Sequence, residues 1–422
     1  MPEVFWTALK LGLTSFGGPI AHLGYFEQTY VRKLRWLTSE AYAELVALCQ
    51  TLPGPTSSQV GFLVGLRRAG WPGAVAAWVG FTLPSALLMY ACAMLATVLA
   101  PQGNQAWWLP VLHGLLLTAV AVVAQAVWSM ARSLCPDWPR RALAALSCAA
   151  LLLFASPATQ VSVMALGALA GLGICRGASS SRQAEMGRNN ASPRTEAART
   201  LPEGPAITGA GMAHPVGPRT AAVALVSYVL LLGALTSTAL LAPRGPLALA
   251  AIFYRAGALV FGGGHVVLPL LRQELVPGGW LSDSGFLSGY ALAQGLPGPL
   301  FTVAAYLGAV SAPVHQAAAW SVVAILAIFL PGLLLAAGGV SLWSRIAAIR
   351  GAAAALAGVN AAVVGILAAA LYDPVWISGV HDLVDAVTAL AAFVLLQRWR
   401  LPAPAIAGLC VGVSVVRGLI SL

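Results

Sequence analysis

Thr56, Ser57 and Ser58 stand in a row directly after the tetrapeptide Leu52-Pro53-Gly54-Pro55. Thr302 stands just after a second copy, Leu296-Pro297-Gly298-Pro299. Proline removes a backbone donor and clashes with the preceding turn, and glycine adds conformational freedom, so each tetrapeptide ends a helix. A half-helix restarting at Pro55 or Pro299 offers free N–H groups and the positive end of its dipole. Hydroxyls in that first turn complete a cradle for an anion, above all a tetrahedral oxyanion. Ordinary N-capping accounts for one such hydroxyl, but three in succession exceed that need. The two copies differ, so the first is expected to supply more of the polar contacts.

A second kind of break accompanies the first. Phe16-Gly17-Gly18-Pro19 and Phe261-Gly262-Gly263-Gly264 each interrupt an apolar stretch. A glycine costs a helix about 1 kcal/mol against alanine, so paired clusters predict unwound backbone rather than close packing alone. The candidate substrate-binding residues are therefore Gly17, Gly18, Pro53, Gly54, Pro55, Thr56, Ser57, Ser58, Gly262, Gly263, Gly264, Pro297, Gly298, Pro299 and Thr302. Ionisable side chains inside apolar segments are rare and mark function. Lys10 and His22 flank the first glycine break, and Arg255 and His265 flank the second. Lys10 and Arg255 are the candidates to neutralise a dianion, with snorkelling to the headgroups as the alternative. Glu44 is the candidate proton carrier, and His22 and His265 are of the type that titrates near neutral pH. His113, Gln125 and Asn360 are further polar residues within apolar spans.

These residues must be positioned by a membrane-embedded scaffold. The 422-residue chain is 59% hydrophobic and only 9% charged, with a mean hydropathy of +0.83. Soluble proteins carry roughly a quarter charged residues. The net charge of +10 sits mainly between apolar segments, which reads as topology signals and not as nucleic-acid binding. The N-terminus lacks a basic leader and a small-residue cleavage site, so the first apolar segment is expected to be retained. The six cysteines form no Cys-x-x-Cys pair and read as small buried hydrophobes. His-Glu-x-x-His, Gly-x-Ser-x-Gly and Walker motifs are absent from the sequence, so no catalytic residue, metal or cofactor is expected.

The expected fold is all-α, a polytopic membrane protein of about thirteen transmembrane segments. Six lie in residues 1–175, at about 4–26, 40–66, 71–98, 107–131, 140–156 and 158–175. A polar stretch at 176–219 reads as a disordered cytoplasmic linker, and 220–242 as a connecting transmembrane helix. Six more lie in 250–422, at about 250–272, 284–310, 317–342, 348–371, 381–397 and 402–420. The halves repeat at a spacing of about 244 residues: Trp36-Leu37-Thr38 matches Trp280-Leu281-Ser282, Phe81-Thr82-Leu83-Pro84 matches Ile328-Phe329-Leu330-Pro331, and Gly114 falls on Gly358. An even number of spans followed by one more inverts the second repeat. The result is two inverted-topology six-helix repeats with broken helices, an architecture whose breaks point to a transport site. Loop arginines favour a cytoplasmic N-terminus and linker and an external C-terminus. Arg32-Lys33-Arg35 is the exception. Thirteen plain crossings put it outside, so either that loop dips inward or the first segment is a re-entrant hairpin.

Phe16-Gly17-Gly18-Pro19 with Ala21-His22, Trp36-Leu37 and the Gln-preceded Leu-Pro-Gly-Pro resemble the chromate ion transporter family in its two-domain long-chain form. So do Phe261-Gly262-Gly263-Gly264, Gly279-Trp280-Leu281 and Ala293-Gln294-Gly295-Leu296-Pro297-Gly298-Pro299-Leu300-Phe301-Thr302. The resemblance covers nearly the whole chain outside the linker and connecting span. The family often has Asn or Glu where this chain has Thr56. The resemblance implies a bacterial inner-membrane exporter of chromate, driven by the membrane potential or by protons, that confers resistance. Partners expected on this reading are the lipid bilayer and chromate or a sulfate-like oxyanion, with protons as the candidate coupling ion and a second copy, as a homodimer, as a further candidate. Transport of a related oxyanion such as sulfate is the alternative, and a membrane enzyme or receptor subunit is disfavoured.

Overall fold

The computed structural model describes residues 1–16, 18–99, 108–154, 156–174, 216–241, 244–261, 264–348, 351–399 and 401–420. The described residues form helices and no strand. In the first repeat these are α1 (Pro2–Thr14), α2 (Gly18–Phe26, continued by a π-helical turn, Glu27–Lys33), α3 (Ser39–Thr51), α4 (Thr56–Leu99), α5 (Trp108–Leu134), α6 (Trp138–Leu153) and α7 (Pro157–Ile174). The connecting helix α8 is Pro218–Leu241. The second repeat has α9 (Pro246–Leu259), a 3-10 turn at Gly264–Val266, α10 (Val267–Leu275), α11 (Asp283–Gly295) and a 3-10 turn at Leu300–Thr302 leading into α12 (Val303–Val310). It ends with α13 (Ala317–Ala348), α14 (Ala352–Ala370), α15 (Leu383–Arg398) and α16 (Ala403–Ile420). Most of the expected linker lies outside the described residues. Among the described residues, six helices are long and apolar enough to cross a membrane: Thr56–Thr97, Leu109–Leu134, Pro218–Thr238, Val314–Ser341, Ala353–Gly379 and Ala403–Ile420.

The helix breaks fall where the sequence puts them. Ser15 is extended after α1, and Val260 is extended after α9. Thr38 caps α3 by accepting the Ala41 N–H, and Ser282, at the corresponding position, caps α11 by accepting the Gly285 N–H. α4 comprises 44 residues, which straight would reach about 66 Å, twice the hydrocarbon thickness. It folds back at Ala69–Gly70, where Gly70 has φ +65°. Beyond the fold, Gly65 packs on Gly73 and Ala77, and Phe62 meets the Trp71 ring edge-on.

These short helices make hairpins. α1 and α3 have 13 residues each, too few for the roughly 20 that a crossing needs. Arg68 bonds Glu3 at 3.2 Å, and its guanidinium lies 5.2 Å from the Trp36 ring centroid. The start of α1, the loop after α2 and the end of the first arm of α4 therefore meet at one end of the molecule. Both α1–α2 and α3–α4 enter and return on that side, which is the re-entrant arrangement. Arg32, Lys33 and Arg35 are thus on the side of the N-terminus, correcting the placement that plain crossings gave. Two crossings vanish together, so the parity that inverts the second repeat is unchanged.

The second repeat's hairpin opens at the other end. Along α13, Trp320 at the start meets Trp280, the loop residue before α11. Midway, Gly332 touches Gly54 and Pro55, and further on Gly339 touches Leu48 of α3 and Leu52 just after it. α3 therefore approaches the middle of α13 from its C-terminal end, whereas α11 starts beside its N-terminal end. Small residues join the repeats at matching places. A Cβ on Gly114 of α5 would lie 2.4 Å from the Val411 backbone of α16, and one on Gly358 of α14 would lie 2.0 Å from the Gly167 carbonyl oxygen of α7. Such close backbone approach is how helices associate where lipid removes the hydrophobic driving force.

Candidate functional site

The four breaks converge. The Gly54 N–H donates to the Val260 carbonyl at 2.7 Å, and the Gly298 N–H donates to the Ser15 carbonyl at 2.9 Å. Each Pro-Gly-Pro of one repeat thus satisfies the unwound backbone at the other repeat's break, a requirement inside hydrocarbon. Gly54 has φ +118° and Gly298 φ +98°, a conformation that needs glycine. Space demands it too. A Cβ on Gly54 would lie 2.8 Å from Gly332 Cα, and one on Gly298 would lie 2.9 Å from Ser85 Cβ.

Around this crossing lies a buried polar kernel. Ser15, His22, Ser57, Ser58, Gln59, Thr82, Ser85 and Thr302 are all buried. His22 Nδ1 is 3.3 Å from the Ser57 hydroxyl, and its ring packs edge-on against Phe81. Gln59 donates from Nε2 to the carbonyls of Pro53 at 2.8 Å and Gly332 at 2.9 Å, clamping the first tetrapeptide to α13. Thr302 donates its hydroxyl proton to the Pro299 carbonyl at 2.8 Å. The Ser85–Thr302 contact at 2.6 Å therefore has Ser85 as donor. Five buried atoms here have no hydrogen-bond partner among the described residues: Ser15 Oγ, His22 Nε2, Ser58 Oγ, Gln59 Oε1 and Thr82 Oγ1. Buried polar atoms are normally paired, so unpaired ones in one kernel mark a place built for something else.

The sequence-predicted residues divide clearly. Gly18, Pro53, Gly54, Pro55, Thr56, Ser57, Ser58, Pro297, Gly298, Pro299, Thr302 and His22 stand at or beside the crossing. Gly264 packs on Leu300 and Phe301 at the second break. Gly17, Gly262 and Gly263 lie outside the described residues, and His265 is described only in its backbone. Lys10 is on the exposed face of α1. Arg255 is paired with Glu274 through two of its guanidinium nitrogens, which donate to both carboxylate oxygens. Neither of the two expected cations is thus offered to the kernel. Glu44 is half-buried and close enough to Arg67 to interact electrostatically. Gln59, Ser85 and Thr82 were missed. The signal for Gln59 was its place at the end of the Thr-Ser-Ser run, and that for Ser85 and Thr82 was the matched Phe-Thr-Leu-Pro segment.

The arrangement of four breaks and a neutral, donor-rich kernel between inverted repeats defines a multi-pass membrane protein of the transporter type. The profile of the chromate transporter family matches residues 2–172 and 247–416, and the chain belongs to that family. It is 29% identical over 341 residues to a chromate transport protein of Pseudomonas aeruginosa, covering 78% of this chain and 70% of that one. It is 27% identical over 329 residues to a probable chromate transport protein of Synechococcus elongatus, with 78% and 72% covered. It is 26% identical over 324 residues to a chromate transport protein of Cupriavidus metallidurans, with 76% and 70% covered. No solved structure matches the chain.

Proposed function

We propose that the chain is a secondary-active transporter that moves chromate out across the bacterial inner membrane and so confers chromate resistance. The N-terminus is cytoplasmic in this reading, and residues 1–175 and 250–422 are the two repeats, joined by the linker and the connecting helix. The single observation that carries it is the crossing of the two Pro-Gly-Pro breaks around buried donors without partners. A tetrahedral dianion offers acceptor oxygens in several directions. The helix restarting at Thr56 supplies N–H groups, Ser58 and Ser15 supply hydroxyl donors, and of the hydrogen-bonded pair Ser57 and His22 one member supplies a further donor, the tautomer deciding which. Binding by neutral donors is weak enough to permit release, as a transport site requires. Gly54 and Gly332 touch, so passage requires the crossing to part, which suits one repeat rocking against the other. Proton coupling is assigned to Glu44. Everted vesicles containing the protein should accumulate labelled chromate and lose that uptake with an uncoupler. Absence of uptake with the protein present in the membrane refutes the reading, and equal competition by sulfate would widen the substrate to tetrahedral oxyanions.

A further inference from the structure

Away from the crossing, a second polar cluster joins the two repeats on the face opposite the N-terminus. It draws His113 from the start of α5, His381 from the loop before α15, and Asp385 from the first turn of α15. His113 Nε2 is 2.8 Å from Asp385 Oδ1, and His381 Nδ1 is 3.8 Å from Asp385 Oδ2. The two imidazoles stack with centroids 5.4 Å apart at 30°. One ligating atom from each residue lies within 4.8 Å of the other two.

We propose that His113, His381 and Asp385 form a binding site for a divalent transition-metal ion such as Zn²⁺, bridging the first and second repeats. Two imidazoles and one carboxylate are the ligand set that borderline ions take, and three protein ligands leave a fourth position for water. Ligand atoms around a tetrahedral ion with bonds of about 2.0 Å stand about 3.3 Å apart, and each imidazole nitrogen already lies 2.8 or 3.8 Å from a carboxylate oxygen, His113 from Oδ1 and His381 from Oδ2. The three ligand atoms, within 4.8 Å of one another, close to that spacing by side-chain rotation. His113 then carries its proton on Nδ1 and His381 on Nε2, each leaving a lone pair for the ion.

The surroundings suit the ligands. Asp385 is buried, and its Oδ2 accepts the His381 backbone N–H at 3.0 Å while Oδ1 accepts from Arg417 at 3.1 Å. Such outer contacts fix a ligating carboxylate in place. Each oxygen retains a lone-pair direction toward an imidazole. Arg417 also grips Asp382, so the two carboxylates and one guanidinium leave a net negative charge to receive a cation. His381 is 61% exposed, which gives an ion a direct path from solvent. A simple His113–Asp385 hydrogen bond explains the 2.8 Å contact but not the second imidazole stacked over it.

The test uses full-length, tag-free protein in detergent, titrated with Zn²⁺ by calorimetry and with Co²⁺ by visible absorption. Wild type should bind one ion per chain saturably and melt at a higher temperature with Zn²⁺ present, because the ion binds the folded state. His381→Ala, a substitution at an exposed loop, should weaken binding by about tenfold or more and abolish the thermal shift. His113→Ala should do the same. No saturable binding by wild type, or unchanged binding in both variants, overturns the site.

Discussion

At the residue scale, the crossing depends on two glycines whose backbone angle and available space both exclude a side chain. Gly54→Ala and Gly298→Ala should each lower stability by about 1–2 kcal/mol from the left-handed backbone alone, and more from the clash. Chromate uptake should be lost in both, whereas Gly24→Ala, which has open space around it, should retain activity. Equal activity of all three variants in a vesicle assay would remove the crossing from the mechanism. Gln59→Glu probes the clamp. The carboxylate cannot donate to the Pro53 and Gly332 carbonyls, so about 1–3 kcal/mol should be lost, read as a lower melting temperature. At this scale the sequence was half legible. Proline and glycine announce a break wherever they occur, because their effect is local. Gln59 and Ser85 did not stand out, because their partners lie 273 and 217 residues away. The placement of Lys10 and Arg255 was not legible for the same reason. A charge beside a break in sequence says nothing about which way its helix turns it or which carboxylate, here Glu274, already holds it.

At the element scale, the helices are short where hydropathy suggested long ones. The apolar stretches 4–26 and 40–66 each read as one crossing, yet each is a hairpin arm pair, because Gly-Gly-Pro and Pro-Gly-Pro divide it near the middle. Hydropathy sees only that the residues are apolar and cannot tell one traverse from an entry and return. The charge of the Arg32-Lys33-Arg35 loop was the sequence signal that favoured the hairpin, and Arg68 bridging Glu3 and Trp36 is its structural counterpart. Replacing Pro53-Gly54-Pro55 with three alanines should join α3 to the first arm of α4 in one continuous helix. The variant should insert in the membrane and show wild-type abundance but no chromate uptake. Uptake at the wild-type rate would mean that the break has no part in transport.

At the scale of the whole molecule, the inverted relation makes a claim that neither composition nor a single site could make. The loop after α2 and the loop after α10 occupy corresponding places in the two repeats, yet they should face opposite sides of the membrane. Lys33 and Pro277 are exposed in those loops. The even number of crossings in the first repeat and the single helix α8 set their sidedness, and the contacts along α13 report the same ordering, from Trp280 at one end to Leu48 toward the other. In a background with the six native cysteines replaced, Lys33→Cys and Pro277→Cys can be labelled separately with a membrane-impermeant maleimide. In right-side-out vesicles the reagent should reach Pro277→Cys and not Lys33→Cys, and everted vesicles should reverse the pattern. The reversal is the informative part, because it controls for a loop that is merely hard to reach. Labelling of both positions from the same side would mean parallel repeats. The two Pro-Gly-Pro breaks would then enter from one face, and a site alternately open to either side would need a different explanation.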